Sequence, residues 1–272
     1  MINLYFTKII GMKISKRTKE KLLSSINKEI WAIIPARSGS MRIKNKNLQK
    51  INGKELISYS ILLSKQIKLI DKTFVSTNCN LIAKKSKYYG ADCPFLRPSG
   101  ISGKNSTDTS YILHFLKTMF SLQEKLPSIL VQLRPTTPFR SRDMVSDAIL
   151  KFKRKYKYFD SLRSSNIMSH PPEKTFRIKG GKYVSINLGE IDGEYSNRSS
   201  QLFQKTYKPN GYVDIIKTQQ VISSNSLYGK SILPFITSPT IEIDCLSDLQ
   251  LARNDKSKEK KYLVKIISSK NA

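Results

Sequence analysis

Residues 33–47 read Ile-Ile-Pro-Ala-Arg-Ser-Gly-Ser-Met-Arg-Ile-Lys-Asn-Lys-Asn, and here residue types and spacing first suggest chemistry. Ser38 and Ser40 flank Gly39, so the backbone can turn its N–H groups outward, and Arg37, Arg42, Lys44 and Lys46 surround them. Outward amides ringed by guanidinium and ammonium groups make a cradle for a triphosphate. On residue types alone, the stretch reads equally well as a solvated basic loop. Neither of the two common glycine-rich phosphate loops is present at this or any neighbouring spacing.

A second constellation lies near the other end, in Glu242-Ile243-Asp244. Residues two apart on a strand share a face, so a strand over 241–244 would present both carboxylates together as hard oxygen ligands for magnesium. A carboxylate pair at a surface strand end is the plainer alternative. The chain has 20 acids against 48 Lys and Arg, which makes the pairing of two of them noticeable.

The elements that must position these groups follow from hydrophobic periodicity. An apolar run at 30–34 has the look of a buried strand, the basic loop follows at once, and a helical pattern occupies 56–67. A strand at 73–76 precedes a helix at 81–89 that Gly90 can terminate. Ser106 or Thr107 can cap a helix bearing Tyr111, Ile112, Phe115 and Leu116, and a strand at 129–133 leads to a helix at 144–152. Strands alternating with helices predict an α/β fold, a mostly parallel Rossmann-like sheet with helices on both faces. Ligands of such sheets bind beyond the carboxyl ends of the strands, where the loop after the first strand lies.

After residue 151 the texture changes. A strand at 158–163 is followed by a stretch rich in Ser, Asn, Gly and charge, an excursion from the sheet over roughly 164–211. Strand patterns resume at 212–216 and 232–236, and a helix over 246–252 precedes a lysine-rich tail that includes an apolar run at 262–267. At 272 residues the chain suits one main domain spanning 30–272, preceded by an N-terminal extension of residues 1–29. That extension opens with Ile2, Leu4, Tyr5, Phe6, Ile9 and Ile10, but Lys8 interrupts it. It is too short to span a bilayer, so no membrane insertion is expected and no catalytic role is assigned to it.

The net charge of +28 raises nucleic acid as a partner. The excess is mostly lysine spread along the whole chain rather than gathered in a stripe, which speaks against a dedicated nucleic-acid partner and suits anionic small substrates. Cys79, Cys93 and Cys245 lie far apart without a C-x-x-C pair, so neither a zinc site nor a disulfide framework is expected, and a reducing cytoplasm fits.

Taken in order, several segments resemble the acylneuraminate cytidylyltransferase (CMP-sialic acid synthetase) family, which includes pseudaminate and legionaminate cytidylyltransferases. Residues 33–47 are similar to its nucleotide-loop signature, and Val75-Ser76-Thr77-Asn78 to a segment that ends in Asp in the family. Tyr89-Gly90-Ala91-Asp92-Cys93-Pro94-Phe95-Leu96-Arg97-Pro98 and Leu133-Arg134-Pro135-Thr136-Thr137-Pro138-Phe139-Arg140 continue the match. So do Arg198 to Gln201, Asn210-Gly211 and the acidic Glu242-Ile243-Asp244, over about 220 residues in all.

The resemblance implies a nucleotide-diphospho-sugar transferase-like fold and a reaction that couples CTP to an acidic nine-carbon 2-keto sugar, giving CMP-sugar and pyrophosphate. It implies nucleotide contacts from Ala36, Arg37, Ser38, Gly39, Ser40, Asn47, Arg97, Ser106 and Arg134. It implies catalytic roles for Arg37, Arg42, Lys46 and Asp244, and sugar contacts from Gln132, Arg198, Gln201, Tyr207 and Asn210. It further implies magnesium at Glu242 and Asp244, and a homodimer built through the excursion.

Three positions depart from the family pattern: Met41 stands where most members carry Lys, Asn78 where they carry Asp, and Arg134 where they carry Gln. Two rival readings follow. Ser40-x-Arg42 resembles the ketodeoxyoctonate cytidylyltransferases, although Lys46-Asn47 and residues 134–140 argue against them. The three departures together would suit a catalytically silent CTP-binding homologue.

Overall fold

The computed structural model describes residues 15–186 and 193–255. The apolar stretch before residue 15 and the run at 262–267 fall outside the described residues.

Strand β1 (Ile30–Pro35) lies inside the sheet, one strand in from an edge, and Trp31, Ala32, Ile33 and Ile34 are fully buried. Alternation along the strand divides the core in two. Ile30, Ala32 and Ile34 pack with Ile57 and Ile61 of α2 (Leu56–Gln66) and with Val145, Ile149 and Phe152 of α5 (Arg142–Lys155). Trp31 and Ile33 pack with Tyr111, Ile112, Phe115 and Leu116 of α4 (Asp108–Gln123) and with Val221 and Ile222 of α7 (Thr218–Ser224). Strands covered on both faces need apolar residues at every position rather than at every second one, which is why β1 reads as an unbroken run.

The short β2 (Lys50–Ile51) and β3 (Lys54–Glu55) form an antiparallel pair of their own, while β1 pairs in parallel with β4 (Lys72–Ser76) on one side and with β5 (Ile129–Gln132) on the other. The full order is β10-β6-β9-β5-β1-β4, with β6 at Ser161–Ile167, β9 at Tyr207–Lys217 and β10 at Ile232–Ile236. β9 is antiparallel to both of its neighbours, so it separates two parallel groups. This is the expected α/β architecture with helices on both faces. Helix α1 (Lys16–Ser24) packs outside it, with Leu22 in the Trp31 cluster and Lys19 Nζ donating to the carbonyl of Ser223. Helix α3 (Asn80–Tyr88) ends at Gly90, whose φ of +88° is the left-handed terminator expected there.

Three expected boundaries shift. The strand read at 158–163 begins at Ser161 and continues to Ile167, and β9 begins as early as Tyr207. The segment outside the main sheet is therefore 168–206. It carries the hairpin of β7 (Phe176–Lys179) and β8 (Lys182–Ser185), the short helix α6 (Gly193–Asn197) and 3-10 turns at Pro172–Lys174 and Ser200–Leu202.

The strand expected over 241–244 does not form. Ile243 donates its N–H to the carbonyl of Thr136 at 2.7 Å and buries its side chain with Ile43, Leu56, Tyr59, Phe139 and Leu249. This third cluster anchors the segment on loop residues, on α2 and on α8 (Leu246–Asn254) instead of on a neighbouring strand of the main sheet. Ile43 belongs to the basic loop, so one apolar patch fixes that loop and the acidic segment together. Among the described residues, no helix is long and apolar enough to cross a membrane.

Candidate active site

The basic loop leaves β1 at Pro35, and Ala36 N–H donates to the carbonyl of Ser76 at the end of β4 (2.9 Å). Ser38 donates through both its N–H and its Oγ to Asn78 Oδ1, at 2.8 and 3.1 Å. Gly39 then turns with a φ of +80° into open space. Buried Asn47 donates Nδ2 to the carbonyl of Arg37 (3.0 Å) and closes the loop at its base. Between these ties, Met41 and Arg42 are exposed and Ser40 is half-buried.

Across from the loop lies a second lip. Arg37 reaches it through Nη1 to the carbonyl of Ser102 (3.2 Å). Arg97 is buried there, with Nε donating to Ser76 Oγ (3.1 Å) and Nη2 to the Ser76 carbonyl (2.8 Å). Its guanidinium lies 4.4 Å from the centre of the Tyr111 ring. Burial lowers its affinity for the proton, while Tyr111 and Asp108 oppose that shift. An open pocket of about 430 Å³ extends beside this lip, lined by Gly100, Ile101, Gly103, Lys104, Ser106 and Thr107. The α4 N-cap is Thr107, which leaves Ser106 free of the capping role.

The floor is a charge network that reading the sequence did not find. Arg134 lies between two carboxylates, donating to Asp108 Oδ2 at 2.5 Å and to Asp214, which is buried in the middle of β9. Gln132 Nε2 also donates to Asp108 Oδ2 (3.0 Å), Tyr228 donates to Asp214 (3.0 Å), and Arg163 Nε lies 3.6 Å from Asp214 Oδ1. Burial alone would favour loss of the Arg134 proton, yet Asp214 and Asp108 hold the guanidinium more firmly charged than usual. Asp214 had one visible signal: it is a lone acid inside the apolar strand Tyr212-Val213-Asp214-Ile215-Ile216, and a buried carboxylate requires a cation.

Arg140 is structural. Fully buried, it donates to the carbonyls of Tyr212, Gly211 (3.1 Å) and Arg134 (2.6 Å) and to Ser60 Oγ (3.1 Å), and burial pulls its pKa down to about 9.

The acidic segment meets the basic loop directly. Lys46 Nζ lies 3.1 Å from Asp244 Oδ1 and 3.0 Å from the carbonyl of Ile243, although 198 positions separate Lys46 from Asp244. Glu242 lies beside Gly211 and Thr137: a Cβ on Gly211 would fall 3.2 Å from Glu242 Oε1 and 3.3 Å from Thr137 Oγ1, and the φ of +61° there favours glycine in the Asn-Gly step. Asp248 caps α8 and accepts from the backbone of Asp244 and Cys245, both at 2.8 Å.

The sugar-side residues are more scattered. Asn210 is buried, with Nδ2 on Thr237 Oγ1 (2.6 Å) and Oδ1 accepting from Tyr212 N–H (3.2 Å), so its amide shapes the turn. Arg198 rests on the Tyr195 ring at 4.8 Å, and Tyr195 meets Phe203 edge-on at 5.6 Å. Gln201 and Tyr207 are exposed. Hydrogen bonds thus gather Arg37, Ser38, Asn47 and Arg97 at the ends of β1 and β4, Ser106 lines the pocket beside Arg37's partner Ser102, and Lys46, next to Asn47, meets Asp244. Arg198 and Gln201 make no hydrogen bond to that group among the described residues.

A doubly covered, mostly parallel sheet, with its basic loop and a carboxylate beyond the strand ends, defines an α/β nucleotide-binding protein of the transferase type. The cytidylyltransferase family model matches residues 31–246. Among curated proteins, the chain is 31% identical to a CMP-N,N'-diacetyllegionaminic acid synthase of Legionella pneumophila, over 82% of this chain and 94% of that one. It is 29% identical to an N-acylneuraminate cytidylyltransferase of Escherichia coli over 82% of this chain, and spans about half (51%) of that relative's length. It is 25% identical to a pseudaminic acid cytidylyltransferase of Campylobacter jejuni, over 81% and 93% of the two chains.

Among solved structures, a CMP:2-keto-3-deoxy-manno-octonic acid synthetase complexed with CTP superposes with a TM-score of 0.60 at 14% identity, over 83% of this chain and 97% of that one. A cytidylyltransferase from Leptospira borgpetersenii gives 0.53 at 14% identity, over 90% and 96%. These structural likenesses bear on the fold alone. The chain belongs to the cytidylyltransferase family.

Proposed function

We propose that this protein couples CTP to an acidic nine-carbon 2-keto sugar of the sialic, legionaminic or pseudaminic kind, releasing pyrophosphate. The observation that carries the reading is the contact of Lys46 with Asp244, which joins the end of the phosphate loop to the acidic segment. The named relatives support the same substrate class. The octonic acid synthetase shares the fold at only 14% identity, so it lends the ketodeoxyoctonate alternative no weight.

In this reading, the loop N–H groups together with Arg37, Arg42 and Lys46 hold the triphosphate, and Arg97 and Ser106 border the base and ribose. The anomeric hydroxyl of the sugar attacks the α-phosphorus, pyrophosphate leaves in line, and the fixed cations stabilise the charge that develops on the phosphate oxygens. Arg42 supplies the cation that Met41 lacks. Arg134, already shared between two carboxylates, orders the floor through Asp108 and Gln132.

Asp244 and Glu242 fit magnesium in donor chemistry, because that ion commonly takes one or two carboxylates and completes its shell with phosphate oxygens and water. Asp244 is half-exposed, which leaves room for such ligands. Bound there, magnesium would neutralise and orient the phosphates.

Dimerisation through the excursion is part of the same reading. It is supported by the exposed apolar side chains of the β7–β8 hairpin, Ile178 at 74% and Tyr183 at 76% exposure. A cytoplasmic location fits the free cysteines, and the spread of lysine along the chain fits small anionic substrates better than a dedicated nucleic-acid partner.

The test is pyrophosphate release from CTP and magnesium with N-acetylneuraminate, legionaminate and pseudaminate in turn. Turnover with one of the three is expected. CTP binding by calorimetry without turnover on any of them would instead favour the silent homologue.

A further inference from the structure

We infer that Asn78 is a positioning residue for the nucleotide loop, acting through Ser38 from the same strand end that holds the opposite lip. The inference rests on the reading of residues 33–47 as the CTP site.

β4 ends at Ser76, and three consecutive residues there tie down both sides of the cleft. The Ser76 carbonyl accepts from Ala36 N–H (2.9 Å) on the loop side and from Arg97 Nη2 (2.8 Å) on the other. Ser76 Oγ accepts from Arg97 Nε (3.1 Å), and the Thr77 carbonyl accepts from Arg97 N–H (2.6 Å). Asn78 then reaches back and accepts twice from Ser38. One short piece of backbone therefore sets the spacing between the loop and Arg97, on which a ligand spanning both depends.

The chemistry at Asn78 is an acceptor's chemistry. A backbone N–H can only donate, so the Ser38 N–H fixes which end of the Asn78 amide faces the loop. Oδ1 holds the Ser38 N–H and Oγ toward β4, and Gly39, turning at φ +80°, carries the following backbone into open space. A carboxylate at this position could accept the same two bonds. The replacement of the family's Asp by Asn therefore preserves the tie and removes one negative charge from beside the phosphate cradle. Its effect is to hold the loop, not to silence it.

The experiment compares wild type, Asn78→Ala and Asn78→Asp, using calorimetric CTP binding, pyrophosphate-release kinetics and thermal melting. Asn78→Ala should weaken CTP binding about tenfold, the scale of one to two lost hydrogen bonds. It should raise KM for CTP while leaving KM for the sugar and the melting temperature nearly unchanged. Asn78→Asp should recover CTP affinity to within about threefold of wild type. Wild-type CTP affinity in Asn78→Ala, or equal damage in both variants, overturns the inference and leaves the CTP site standing. Failure of the wild type itself to bind CTP overturns both. If Asn78→Ala does not fold, Asn78→Asp still decides: a loss of tenfold or more there is fatal to the proposal.

Discussion

The nucleotide side of the cleft and the excursion over 168–206 differ in what holds their charges. On the nucleotide side the principal cations are tethered internally: Arg97 to Ser76, Lys46 to Asp244 and the Ile243 carbonyl, Arg134 between Asp108 and Asp214. In the excursion Arg198 rests, among the described residues, against the Tyr195 ring, and Phe176, Ile178, Tyr183 and Leu202 stay exposed. Groups that must stabilise charge on a triphosphate gain from being fixed before the reaction begins. Groups that select among sugars of similar acidity can sit on a less constrained segment, as binding residues commonly do.

The sharpest way to break this contrast is to remove a tethered group whose loss leaves the fold intact. Asp244 is half-exposed, so Asp244→Ala should change stability by no more than about 0.5 kcal/mol. It should nevertheless reduce magnesium-dependent pyrophosphate release by about 10²–10³-fold. Near-normal turnover would remove the acidic segment from the site.

Arg140 provides the converse, a tethered cation whose work is structural. Arg140→Met would leave the carbonyls of Arg134, Gly211 and Tyr212 without their buried donor. A loss of about 3 kcal/mol is expected in denaturant unfolding, from roughly 1 kcal/mol or more for each orphaned group. An unchanged unfolding midpoint would show that the loop after β5 does not depend on this link to β9.

How far each side could be read from the sequence follows from the same difference. β1, α2, α4 and α5 were legible because burial on one or both faces writes its period into neighbouring residues. The basic loop was legible because its residues are contiguous. The Asp108–Arg134–Asp214 network was not, because it depends on β9 entering the sheet antiparallel between β5 and β6, which sets Asp214 opposite Gln132 on one side and Arg163 on the other. No local pattern encodes that register. The segment at 241–244 misled for a related reason: Ile243 alternates with two acids as it would on a half-buried strand, yet the cluster that buries it is built mainly from loop residues and two helices, α2 and α8. Asn78 was visible as a departure from the family, but its two bonds to Ser38 were not.

Tethering should also make the body of the domain acid-sensitive at Glu55. Burial resists ionisation of Glu55, but bonds from Lys85 (2.7 Å) and Tyr89 outweigh it and carry the carboxyl from 4.5 down to about 2. A carboxyl whose folded pKa is depressed contributes stability above its unfolded pKa and loses it as the pH falls through the folded one. Between about pH 4.5 and pH 2 the wild type should lose on the order of 2 kcal/mol at this site, a figure reduced for solvent screening around the exposed Lys85. Glu55→Gln should flatten that part of the curve in urea titrations at stepped pH. An unaltered slope would mean that other carboxyls carry the acid sensitivity.

The smallest expected effect probes the excursion itself. A guanidinium meets a carboxylate with two parallel hydrogen bonds, and an ammonium group cannot reproduce that geometry. If Arg198 reads the sugar carboxylate, Arg198→Ala should raise KM for the acidic sugar about tenfold, near 1.4 kcal/mol, and Arg198→Lys should restore little of it. KM for CTP and the melting temperature should stay put, because Arg198 is exposed and touches no part of the nucleotide loop among the described residues. A rise in KM for CTP instead would place Arg198 at the phosphates. In that case the division of labour between a tethered nucleotide side and an adaptable sugar side would fail at the one residue that most clearly belongs to the second.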